Sequence, residues 1–356
     1  GMPYIAVGND INIGNYATFV STLVTNDTIN FKTQKGNISN YGNIQMQSTL
    51  NMQAGQGASG GTPCLINGGT IESQGGGLSL TAKNNITNNG TIEANAQIKF
   101  AVGGTLTNQG TIESTSSNVQ AHIGRNFKNI AVYNNESTEN RTLIGGIIEA
   151  GGNVQVKYNL DNEGIGVASS EERIDGIYNS GLIWAKGDKD PVKKPDGTVD
   201  TNSGSGNIWL TSSYNITNYG TMEAGRQITL NARDFLHNYG LIQGVTYLDI
   251  KSIMGYVYNH ASGVIRATGG NIDLSTGQAN LQIDGDTNGQ KKEEYRKFTP
   301  IIIEGSVEAT SALNNTTNET NQGNINIRAY LGDIYINGGT IEAKAGTSGE
   351  VESVAG

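Results

Sequence analysis

Ile86-Thr87-Asn88-Asn89-Gly90-Thr91-Ile92-Glu93-Ala94 decides the reading of this chain, because close copies of it recur from end to end. Leu106 to Ser114 and Ile216 to Ala224 repeat it, and Leu65 to Ser73 and Ile336 to Ala343 flank the set. Looser copies are Ile38 to Gln45, Ile177 to Ala185, Leu236 to Gln243 and Val307 to Ala309. In the half that begins at Gly90 the alternation has period two, so Ile92 and Ala94 share one face while Thr91 and Glu93 share the other, the pattern of a half-buried strand. A second apolar-polar-apolar strand lies near each copy, as in Leu78-Ser79-Leu80, Ile98-Lys99-Phe100, Ile228-Thr229-Leu230 and Ile272-Asp273-Leu274.

Neighbouring copies stand about twenty residues apart, within the range of solenoid periods. A unit that small cannot bury its inward side chains alone and must stack on its neighbours. Leucine-rich repeats share the period, but they need a Leu-rich consensus and usually a helical segment. Here β-branched residues, Gly and Asn dominate without helical spacing. The pattern predicts an all-β chain: a right-handed, single-stranded parallel β-helix with loop insertions, each turn one rung about 4.8 Å above the last.

Asn-x-Gly supplies the corners. Asn40, Asn67, Asn88, Asn108, Asn179, Asn218, Asn238 and Asn337 each stand two residues before a Gly. Asn tolerates the left-handed backbone region, and Gly enters it without steric cost. Stacked Asn side chains can also bond amide to amide from rung to rung. The pairs Asn88/Gly90, Asn108/Gly110, Asn218/Gly220 and Asn238/Gly240 are the expected structural corner ladder.

The 356 residues include 50 Gly and 5 Pro, which suits many tight corners and leaves no linker between halves. One elongated domain of about ten to twelve rungs, on the order of 50 Å long, is expected. Residues 1–34 fit the repeat poorly and carry Phe19, Val20, Leu23 and Val24, enough apolar surface for an amino-terminal cap; degenerate first rungs are the alternative. Residues 35–343 hold the repeats, and 344–356 form a polar, Gly-rich tail. No cap follows the last repeat, so the native chain either folds this tail over its end or continues with further repeats. Insertions are expected at 53–63, 134–140, 169–175, 186–206, 284–300 and 311–321, on the faces where solenoids bind.

A formal charge of −9 and a pI near 4.9 argue against nucleic acid or an anionic membrane surface as partner, since both demand basic patches. No stretch reaches the length of a membrane span, so no membrane insertion is expected. The single Cys64 excludes an intrachain disulfide.

Candidate chemistry is sparse. Glu72, Glu93, Glu113, Glu149 and Glu223 recur at one position and form a stripe rather than a convergent site; stacked carboxylates repel and invite raised pKa values or a cation. Asp188 to Asp190 and Asp284-Gly285-Asp286 are the pieces able to hold Ca2+, though neither completes an EF-hand loop; no other cofactor or metal is expected. His237 and His260 stand beside Asn238 and Asn259, where corner packing outweighs a catalytic role. Aromatic residues crowd the middle of the chain. Trp184 takes the outward position occupied by Glu elsewhere, and Trp209 lies between Ile208 and Leu210. With Tyr178 and Tyr214 they are the candidate binding residues, because exposed tryptophans suit a sugar ring or a partner protein.

The pattern apolar, x, Asn, x, Gly, Thr, Ile, Glu, Ala, followed by a short alternating strand, resembles the repeats of filamentous haemagglutinin-like bacterial adhesins over most of Gly36 to Ala343. That resemblance implies export to the bacterial surface or secretion, and contact with a host surface protein, matrix or glycan. A non-catalytic adhesin stalk is therefore the first functional expectation. A polysaccharide-acting β-helix enzyme, lyase or hydrolase, is the second, and a Thr-array ice-binding solenoid the third.

Overall fold

A computed structural model describes residues 4–22, 28–55, 62–134, 141–158, 176–187, 206–277, 299–310, 312–313, 320–321 and 323–344. The chain is a parallel β-helix: three parallel sheets of twelve strands each, with successive strands of the chain passing from the first sheet to the second to the third and back. A representative coil is Leu78–Ala82 in the first sheet, Ile86–Asn88 in the second and Thr91–Ala94 in the third. Equivalent residues pair directly between coils, Thr91 with Thr70 and Thr111, Ile92 with Ile71 and Ile112, and Glu93 with Glu72 and Glu113. Antiparallel pairing among the described residues is confined to two inserted hairpins, Val132–Tyr133 with Leu143–Gly145 and Ala312–Leu313 with Thr320–Asn321.

The alternation read from the sequence sets the core. Ile44, Ile71, Ile92, Ile112, Ile148, Ile183, Met222, Ile242, Ile265 and Val307 occupy one register position of the third sheet and are all buried. Each such side chain withdrawn from water contributes roughly 1.5–3 kcal/mol against chain entropy. No coil could gain this alone, since each packs its apolar stripe on the coils above and below.

Inside the corner between the second and third sheets runs a continuous amide column. Nine asparagines, Asn40, Asn67, Asn88, Asn108, Asn129, Asn179, Asn218, Asn238 and Asn259, lie within 1% of complete burial. Each Nδ2 donates to the Oδ1 of the next at 2.8–2.9 Å. The second N–H is also used: Asn88 donates to Thr111 O at 3.0 Å and Asn108 to Ile147 O at 3.1 Å. Burial of an amide is tolerable only with such partners. The glycine beside the column is obligatory for space, since a Cβ on Gly110 would fall 1.9 Å from Gly90 O.

Two corner readings change. Asn129 belongs to the column although its glycine, Gly146, stands seventeen residues away, because the Val132–Gly145 hairpin is inserted between them. Asn337 does not belong: Ile303 and Ile336 take the column position in the last two coils, and the final corner holds an additional residue with Gly338 at φ +77°. Asn259, last in the column, closes it by donating to Gly263 O and Ser306 O.

The segment read as an amino-terminal cap instead supplies a coil. Tyr4–Val7, Ile11–Ile13 and Thr18–Ser21 are the first strands of the three sheets, and Phe19 pairs with Ile44 at the inward position. Leu23 and Val24 lie outside the described residues, as do 345–356 of the expected tail, both Asp-rich pieces and most of the longer insertions.

Candidate functional site: an aromatic and imidazole face

Outward positions differ sharply from sheet to sheet. In the third sheet one column reads Gln45, Glu72, Glu93, Glu113, Glu149, Trp184, Glu223, Gln243, Arg266, Glu308, Glu342. Trp184 stands between Glu149 and Glu223, as its place in the repeat predicts. Lys186 crosses the column: its Nζ is 2.7 Å from Glu149 and 3.7 Å from Glu113, and 4.7 Å from the Trp184 ring centre. Burial, then the charges of Glu113 and Glu72, raise the Glu93 pKa. Arg266 bonds Glu308 at 2.8 Å and holds that carboxyl below its usual value. The adjoining column of threonines is broken by Ile147, Leu182, Leu241 and Val264, so no unbroken Thr array exists on this face.

The four residues grouped from the sequence fall in two successive coils, Tyr178 and Trp184 in one and Trp209 and Tyr214 in the next, and they do not share one face. Trp184 is on the third sheet, Trp209 on the first between Gln155 and Thr229, and Tyr178 on the second between Lys128 and Thr217. Tyr214 follows the strand Ile208–Ser212 at the corner, its backbone N–H on Ser212 Oγ. Corners turn the chain between these positions, so closeness in sequence does not bring the side chains together.

Tyr178 alone leads to a cluster. Its ring lies 5.8 Å from Tyr219, which stacks on Tyr239 at 4.3 Å and 6°. Tyr239 stacks on His260 at 3.7 Å, and His260 on Tyr258 at 3.6 Å. Tyr256 meets His237 edge to face at 5.1 Å and lies 4.5 Å from Phe235. The register explains the gathering: Thr217, His237 and Tyr258 are directly paired, and Tyr219, Tyr239 and His260 immediately follow the column asparagines of the same three strands. A spacing near 4.8 Å between coils leaves adjacent rings little choice but to stack or offset.

Hydrogen bonds lock the imidazoles. Tyr256 Oη is 3.0 Å from His237 Nε2, and His237 Nδ1 is 2.9 Å from His260 Nε2. With both rings neutral, Tyr256 donates to His237 and His237 donates to His260, which uses every facing atom. Burial, and for His237 the neighbouring His260, lower both histidine pKa values and favour those neutral forms. A hydrogen bond to Glu304 pushes the Tyr258 hydroxyl up to about 12.

Tyr219 is half exposed at 50%, and the other six rings of the cluster with Tyr178 are partly buried. Because the rings cover one another's faces, the surface presents ring edges, hydroxyls and imidazole nitrogens. The sequence already carried a signal for this face: Asn218-Tyr219-Gly220 and Asn238-Tyr239-Gly240 repeat, and Tyr178-Asn179 and Tyr258-Asn259 fall in the same register. Among the described residues no three His, Cys, Asp or Glu side chains gather as a metal ion would require. No protein-family model, curated protein or solved structure matches this chain.

Proposed function

We propose that this chain is a non-catalytic interaction protein, a rigid β-helical segment of a bacterial surface or secreted adhesin that docks a host-surface or matrix protein through the ring cluster of the second sheet. One observation carries the reading: Tyr178, Tyr219, Tyr239, Tyr258, His237 and His260 form a continuous, partly exposed patch on a frame whose strands are fixed on both sides. Tyr-rich surfaces of this kind supply contact area at small entropic cost, because a tyrosine has only two side-chain torsions to fix. Their amphipathic edges favour a protein partner over stacked sugars, which need open ring faces.

The test is retention of the intact chain on an array of matrix proteins and glycans, with and without a chelator, against Tyr178→Ala with Tyr219→Ala. Both substitutions remove outward side chains and should leave the thermal melt nearly unchanged. Binding to a protein spot that weakens about tenfold or more in the double variant supports the docking face. Equal retention of both chains, or retention by glycan spots alone, overturns it.

A further inference from the structure

We propose a second binding site on the opposite chemistry of the first sheet: a polar depression that takes the carboxylate-bearing unit of an acidic glycan. The first nine strands of that sheet, Tyr4–Val7 to Gln227–Ala232, place Lys32, Lys99, Lys157 and His122 at outward positions and not one Asp or Glu. In a chain of net charge −9 whose third sheet carries the carboxylate column, this face is set apart by sign.

The depression, about 120 Å³, lies over three successive strands and is lined by Ser79, Thr81, Lys99, Ala101, Gln120 and His122 with part of Phe100. Two paired columns build it: Ser79, Lys99, Gln120 and, beside them, Thr81, Ala101, His122. Ala101 makes the floor, because it is the smallest side chain of its column and stands between Thr81 and His122. Around it are an ammonium, two hydroxyls and a carboxamide. Gln120 Nε2 uses one proton on Gln155 Oε1 at 3.4 Å and keeps a second. Every charged or polar group of this lining can donate a hydrogen bond and none is a carboxylate, so the set fits an anion that also carries hydroxyl groups. A sugar acid meets both demands. An isolated carboxylate such as acetate would satisfy fewer of these groups.

This site stands independently of the ring cluster, which lies on another sheet. The experiment titrates the full chain with a galacturonic acid trisaccharide and with the same trisaccharide after reduction of its carboxyl groups to hydroxymethyl groups, following heat or tryptophan-independent NMR shifts. Acetate serves as the free-carboxylate arm. The uronate should bind, weaken as salt is added, and exceed both its reduced counterpart and acetate by about tenfold. Lys99→Gln should cost about tenfold by removing the ammonium, and Ala101→Leu should abolish binding by filling the floor, each with an unchanged melt. Absence of uronate binding to the native chain, equal affinity for the reduced sugar or acetate, or full binding by a folded Ala101→Leu chain overturns the proposal. Should Ala101→Leu lower the melt, Lys99→Gln alone decides.

Discussion

The buried asparagine column and the outward glutamate column repeat with the same period, yet stacking acts on them in opposite directions. An amide has a donor and an acceptor, so each Asn satisfies its neighbour and the run from Asn40 to Asn259 lengthens at no electrostatic cost. A carboxylate only accepts. Burial first, and then the charges of Glu113 and Glu72 in the adjacent strands, raise the pKa of Glu93, and Lys186 lies across Glu113 and Glu149 to offset part of the repulsion. A repeated polar residue must therefore be judged by whether it can bond its own copy.

Exchanging the two chemistries has the largest expected effect. Asn108→Asp puts an acceptor where Nδ2 now donates to Asn129 and Ile147, and should cost about 3 kcal/mol or more at neutral pH. Part of that returns in acid, where a protonated carboxyl regains one donor; Asn108→Ala, which only removes the link, should cost about 2 kcal/mol. Urea midpoints at pH 7 and pH 4 measure both, and an aspartate no worse than alanine at pH 7 would refute the donor argument.

Lys186→Met is milder. Removing a partly exposed ammonium from Glu149 and Glu113 should lose about 0.5 kcal/mol in low salt and almost nothing in high salt. A loss that persists in high salt would mean that packing on Trp184, rather than charge, dominates.

The smallest effect has the opposite sign. Glu93 has a folded pKa above its ordinary value of 4.5, so its contribution is complete below that pH and is lost as pH rises through the folded value. Glu93→Gln should therefore raise the melting temperature at pH 7 by about 1 °C and leave it unchanged well below pH 4.5. A lower melting temperature at pH 7 would show that the column carries no net repulsion.

Most of the fold could be read from single residues, because Ile92, Ala94, Thr91 and Glu93 announce their faces by alternation and the spacing of their copies announces the stack. Membership of the amide column was less legible at its irregular corners: a hairpin hides the partnership of Asn129 with Gly146, and an additional residue displaces Asn337. The ring cluster was harder still. Tyr219, Tyr239 and His260 are about twenty residues apart, so their contact exists only once exact pairing between coils is known. Trp184 and Trp209 misled in the reverse way, since two outward positions on successive strands are separated by a corner that turns one of them to another sheet.

One property of the amide column reaches beyond stability. From Asn40 to Asn238 each Nδ2 donates to the Oδ1 of the next asparagine toward the carboxyl end, so excising one complete turn lets the two flanking asparagines join by the same link. The molecule can thus be shortened or extended in steps of about 4.8 Å without altering any remaining side chain, which gives such a rod a graded reach and a simple genetic route to change it.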